Sequence, residues 1–220
     1  FIKKYNFSNK KLLNEKIIFQ SNYKNKKSVH FGCRLVNYKK TLLISLGDRG
    51  NRENSQNPNN FPGSIVQLSF NGTKLGHDKD KWLKGIYSIG HRNPQGLIYL
   101  EEFDQIWSHE HGPKGGDEIN VIKKGSNYGW PIVSYGKEYW GGNIGEGVSK
   151  KGLADPIWKW IPSIAPSGMG FYNHDYFENL KNTLLVGSLK FKSLYSIKIF
   201  NKKPISEFIV FKDKIGRIRD

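Results

Sequence analysis

Short apolar or alternating runs cover the chain, separated by clusters of Gly, Asn, Pro and Asp, which is the pattern of β-strands joined by turns. Three stretches repeat one order of runs. The first comprises residues 30–36, then 41–47, then 64–70, ending at Asn71-Gly72. The second comprises 95–100, 105–109 and 117–122, ending near Gly125. The third comprises 168–172, 183–189 and 193–199. A fourth unit is expected to begin at Arg217. The best candidate for a short helix is Tyr176–Lys181, and no longer one is predicted. A β-sandwich would not predict the same order of strands three times over. Units of roughly 50–75 residues with three or more strands each predict an all-β chain built of propeller blades. Four partial units do not close a ring, so residues 1–220 are expected to form an incomplete propeller domain.

Composition and charge narrow this picture. The chain has 220 residues, 37% of them hydrophobic and 14% aromatic, which is enough apolar surface for a folded core. No apolar run is long enough to span a membrane as a helix. The single cysteine, Cys33, excludes an internal disulfide and any thiolate cluster for a metal. The chain starts at Phe1, its only methionine is Met169, and no signal segment opens it; a processed terminus or an internal piece of a longer protein is expected. The net charge of +16 invites a nucleic-acid reading. However, the cations are 29 lysines spread along the chain and only six arginines, whereas readers of phosphates and bases favour the bidentate arginine fork. A solvated basic surface with no nucleic-acid partner is the expectation.

Placed on the repeat, the polar outliers converge. Units begin at His30, at Arg92-Asn93, at Pro166-Ser167 and at Arg217 with Arg219. Second strands end at Asp48-Arg49, at His111-Gly112-Pro113 and at Lys190. The first two strands of a blade run antiparallel, so all these positions belong to one mouth of the ring. A mouth holding a His, an Asp and several cations suits a planar polyanion together with a substrate that loses a proton.

Eight motifs in order carry a family resemblance: His30-Phe-Gly-Cys-Arg-Leu-Val36, Leu46-Gly-Asp-Arg-Gly50, Gly90-His-Arg-Asn-Pro-Gln-Gly96, the run 109–120 from His109-Glu-His-Gly to Asn120, Gly125-Ser-Asn-Tyr-Gly-Trp-Pro131, Ser163-Ile-Ala-Pro-Ser-Gly168, Val186-Gly-Ser-Leu-Lys190 and Gly216-Arg-Ile-Arg-Asp220. From about residue 28 to its end the chain resembles the soluble quinoprotein sugar dehydrogenases, the glucose/sorbosone dehydrogenase family that uses pyrroloquinoline quinone (PQQ). The resemblance implies a six-bladed β-propeller of which about four blades are covered, with the remainder split between the two ends. It implies an enzyme that oxidises the anomeric carbon of an aldose sugar and passes electrons to a separate acceptor. His30 matches the family's general base and Asp48 the carboxylate that orients it. Arg92 matches the arginine near the quinone oxygen, with Asn93 and Gln95 in the cofactor's shell. Lys190, Arg217 and Arg219 match the residues that hold its carboxylates. Calcium is implied at the Gly112 and Pro113 carbonyls, and a second calcium at the Glu118 carboxylate and the Tyr128 carbonyl. Tyr139, Trp158 and Trp160 are candidate faces for stacking a sugar, while Trp130 is expected to serve packing. The family is usually periplasmic. Two other readings fit a propeller: a non-catalytic binding module, and a lactone or ester hydrolase, which would need metal-ligating carboxylates in place of axial Arg and Lys.

Overall fold

The computed structural model describes residues 1–21, 23–24, 26–76 and 82–220. A hairpin of β1 (Ile2–Ser8) and β2 (Lys11–Phe19) comes first. Three four-stranded antiparallel sheets follow, each with its strands in chain order. The first holds β3 (Gly32–Tyr38), β4 (Thr41–Leu46), β5 (Ser64–Ser69) and β6 (Ile86–Ile89). The second holds β7 (Pro94–Leu100), β8 (Gln105–Glu110), β9 (Asp117–Ile122) and β10 (Trp158–Trp160). The third holds β11 (Pro166–Tyr172), β12 (Thr183–Ser188), β13 (Ser193–Phe200) and β14 (Lys203–Lys212). The first strand of the second sheet, β7, packs between β3 and β11. These sheets are successive blades of a β-propeller, with their first strands gathered side by side.

The middle strands are buried on both faces, which explains why they read as unbroken apolar runs. Leu43 and Ile44 are neighbours on β4 and both are fully buried, but they point to opposite sides. Ile44 joins Val66, Leu68 and Ile86 against Phe19 and Phe61. Leu43 joins Ile65 and Tyr87 against Leu97, Ile106 and Ile122 of the second blade. A third cluster runs from Trp107, Ile119 and Trp160 of the second blade to Leu184, Val186 and Ile197 of the third. Each such aliphatic side chain contributes about 1.5–3 kcal/mol on burial, so the blades are held by these face-to-face seams.

Residues 213–220 form no strand, and only four residues, 217–220, belong to the unit expected to begin at Arg217. Sheet structure that was not anticipated lies at the start of the chain, in the β1–β2 hairpin. Its lysines and asparagines mask the apolar alternation, and only Ile18 and Phe19 at its end are buried. The candidate helix at Tyr176–Lys181 is reduced to one 3-10 turn at Glu178–Leu180.

Candidate active site

His30 lies just ahead of β3 in the left-handed backbone region, with φ of 50°. Its ring Nδ1 is 2.6 Å from Asp48 Oδ1. A Cβ on Gly47 would stand 2.2 Å from the His30 carbonyl oxygen, so the close approach of the two segments requires glycine there. Asp48 is buried, and its carboxylate is fully engaged. Oδ1 also accepts the Gly50 amide at 2.7 Å, and Oδ2 accepts the indole N–H of Trp130 at 2.9 Å. With Nδ1 directed at the carboxylate, Nε2 is the ring atom left to meet a substrate.

The second blade supplies the next part. The Asp48 amide donates to the Arg92 carbonyl at 2.9 Å, which joins the first two blades at the mouth. The Arg92 amide donates to Glu110 Oε2 at 2.6 Å. One terminal nitrogen of its guanidinium donates to the carbonyls of His111 (3.0 Å) and Gly112 (2.8 Å). The guanidinium Nε is buried without a partner, and the group lies 5.3 Å from the Trp130 ring centroid. Gln95 donates to the Asn93 side chain at 2.8 Å, and the Asn93 amide meets His111 Nδ1 at 3.5 Å. His111 Nε2 donates in turn to the Pro166 carbonyl of the third blade at 2.7 Å. Burial holds the His111 ring below the ordinary histidine range.

The remaining cations lie further round. Lys190 and Arg217 are exposed, and Lys190 extends over the Phe191 ring. The segment carrying Arg217 and Arg219 crosses the start of β11, where Ser167 donates to the Ile218 carbonyl at 2.6 Å. Arg34 ties this segment to the first two blades. It pairs with Asp220 at 2.6 Å and donates to the Gln95 carbonyl at 2.7 Å. Residues drawn from the starts of all three units thus form one connected mouth.

Two cavities open there. The larger, about 90 Å³, is lined by His30, Asp48, Arg92, Trp130, Glu138 and Tyr139, with Pro113 and Arg52 at its side. Arg52 and Glu138 form a two-pronged ion pair across it, at 2.6 and 3.2 Å. The smaller, about 20 Å³, lies beside Arg92 and has room for a single ion or water. Gly112, Pro113, Glu118 and Tyr128 all line it, together with Glu110. Glu110 and Glu118 are paired directly across β8 and β9. Two carboxylates in such a position repel one another. Burial, reinforced by the Glu110 charge, pushes the Glu118 carboxyl up to about 8. Among the described residues no cluster of three or more His, Cys, Asp or Glu side chains forms a ready metal site.

The three aromatic candidates separate. Tyr139 lines the larger cavity and is 70% exposed. Trp158 and Trp160 sit on β10 instead, and both indoles donate to Glu207 on the third blade, at 3.2 and 2.5 Å. Trp160 is buried in the seam between the blades, so its ring presents no open face for a sugar. Sequence reasoning missed Trp130, Glu110 and the Arg52–Glu138 pair. Trp130 stands 82 residues from Asp48 and Glu138 stands 86 from Arg52, so no local pattern signals either contact. Glu110 was visible inside the His109-Glu-His run, but its partners were not.

The chain is similar to known proteins in both sequence and fold. The glucose/sorbosone dehydrogenase family profile matches residues 2–220. The aldose sugar dehydrogenase YliI of Escherichia coli (strain K12) is 38% identical over 200 residues, covering 87% of this chain and 53% of that protein. Quinoprotein glucose dehydrogenase B of Acinetobacter calcoaceticus is 38% identical over 84 residues, covering 37% of this chain and 17% of that protein. The crystal structure of the soluble aldose sugar dehydrogenase from Escherichia coli in its apo form superposes with a TM-score of 0.94 at 33% identity, over 99% of this chain and 65% of that one. The chain therefore spans about half the length of the curated YliI protein it matches.

Proposed function

The chain belongs to the glucose/sorbosone dehydrogenase family, and we propose that the protein it forms part of oxidises aldose sugars to lactones at the anomeric carbon, with His30 as general base and PQQ as hydride acceptor. The observation that carries this reading is the single cavity shared by the His30–Asp48 pair and Arg92. His30 Nε2 takes the proton of the anomeric hydroxyl as the C–H pair leaves the same carbon, so the C–O bond becomes a carbonyl. Asp48 keeps the Nδ1 proton in place and stabilises the charge the ring acquires.

The cations of the mouth suit PQQ, and residues with oxygen donors for calcium lie beside Arg92. When bound, PQQ supplies an ortho-quinone that accepts the hydride, and its carboxylates need cationic partners. Arg92 offers a buried guanidinium Nε with nothing yet to bind, suited to an oxygen that gains negative charge. Lys190, Arg217 and Arg219 would hold the carboxylates, with Asn93 and Gln95 beside them. Calcium takes oxygen ligands. One ion would take the Gly112 and Pro113 carbonyls, and a second the Glu118 carboxylate with the Tyr128 carbonyl; all four residues line the small cavity. We place the protein in the periplasm, with a separate electron acceptor.

The test is oxidation of a panel of aldoses by the full-length protein supplied with PQQ, calcium and an artificial electron acceptor. Turnover that needs both additions supports the reading. PQQ binding without sugar-dependent reduction would make the protein a binding module instead.

A further inference from the structure

We propose that Trp130 is a positioning residue for this reaction, acting through Asp48 to hold the His30 base in its working tautomer. The proposal rests on the His30 assignment above. Asp48 is a buried carboxylate with three donors: the His30 ring, the Gly50 amide and the Trp130 indole. Two of the three crowd onto Oδ1, and among the described residues the indole is the donor that engages Oδ2. Without it, one oxygen of a buried anion would lack a partner, and the carboxylate would be free to turn away from His30. The indole is neutral, so it fixes the carboxylate without competing for its charge as a cation would.

Trp130 is itself firmly built in. It is 7% exposed. Its amide donates to the Gly90 carbonyl at 3.1 Å, and its carbonyl accepts the Gln56 side chain at 2.6 Å. The guanidinium groups of Arg92 and Arg52 both lie near its ring, with centroid distances of 5.3 and 5.4 Å. One side chain from the 125–131 loop thus ties the base pair of the first blade to the arginine of the second. A residue that merely filled space would need no polar atom aimed at Oδ2.

Trp130→Phe keeps an aromatic ring near Arg92 and removes the N–H together with the five-membered part of the indole; the double-mutant comparison with Asp48→Asn separates the lost hydrogen bond from the lost packing. In the full-length enzyme, loss of one partner from a buried carboxylate should lower kcat by about 10- to 100-fold while KM changes little. In an Asp48→Asn background the same change should cost less than about three-fold, because its route to His30 has already been cut. Equal effects in both backgrounds would overturn the proposal. Nuclear magnetic resonance of the protein without cofactor gives a second readout that does not depend on the assigned activity. The wild type should show a slowly exchanging His30 Nδ1 proton, and Trp130→Phe should lose it. Retention of that proton refutes the positioning role, even where no aldose is oxidised and the functional reading itself has failed.

Discussion

Asp48→Asn tests the base pair, and the structure fixes what it should do. The carboxylate accepts three hydrogen bonds, at 2.6, 2.7 and 2.9 Å, and donates none. Asparagine has one acceptor oxygen and one NH2 group, so one side of the site must receive a donor. If the oxygen stays toward His30 and Gly50, the NH2 faces the Trp130 N–H, donor against donor. In that buried place the mismatch costs about 1–3 kcal/mol of folding stability. If the amide turns over, its NH2 faces His30 Nδ1 and favours the tautomer with the proton on Nε2, which cannot accept another. Either way the negative charge that stabilises the protonated ring is gone. A comparable exchange in a His–Asp pair lowers kcat by about 10⁴-fold, so a loss of about 10³-fold or more is expected here. Steady-state oxidation of an aldose with an artificial acceptor measures it, and a urea melt of the same variant measures the stability cost. A kcat within about ten-fold of wild type would refute the assignment of Asp48.

Two other perturbations probe the scaffold. His109 is fully buried on β8, and burial holds its ring down at about 3. The unfolded chain binds a proton near pH 6.5 that the folded chain refuses. Stability is therefore complete above that pH and should fall by roughly 1.4 kcal/mol per pH unit as pH drops toward 3. His109→Leu should flatten that slope in chemical denaturation, and an unchanged slope would assign the acid sensitivity elsewhere. Gly47→Ala would bring a methyl to 2.2 Å from the His30 carbonyl oxygen, a backbone atom that cannot swing aside. It should destabilise the fold by about 1–3 kcal/mol and lower kcat with it; a variant with wild-type stability and turnover would show that the His30 segment is not held as described.

The blade order was legible because the strands carry their own signals. Leu43-Ile44 and Ile65-Val66 are apolar on both faces, and glycine and asparagine mark the turns between runs. The fourth strand of each blade was harder to see. Strand β6 is four residues long, β10 is three, and β14 is largely exposed, so none carries a strong period. The β1–β2 hairpin was hidden for the same reason. At the mouth, the structure brings together residues that sit in the matched motifs beside turns: His30, Asp48, Arg92, Asn93, Gly112 and Pro113. Those defined only by a distant partner were not legible in the sequence: Trp130 through Asp48, Glu138 through Arg52, and Glu110 through the Arg92 amide. Trp158 and Trp160 show the converse error. An aromatic pair reads alike in sequence whether its faces are open to a sugar or its indoles are tied to Glu207 on the next blade.

Mixing an aldose with the PQQ-loaded full-length protein in a stopped-flow instrument, and following the absorbance of the bound cofactor, tests the role of His30 most directly. Wild type loaded with PQQ and calcium should show reduction of the cofactor by an aldose. His30→Ala should bind PQQ with similar affinity and be reduced slower by orders of magnitude. Reduction at the wild-type rate in His30→Ala would contradict the central claim that this histidine takes the substrate's proton. So would a wild-type protein that binds PQQ and leaves it unchanged by any aldose.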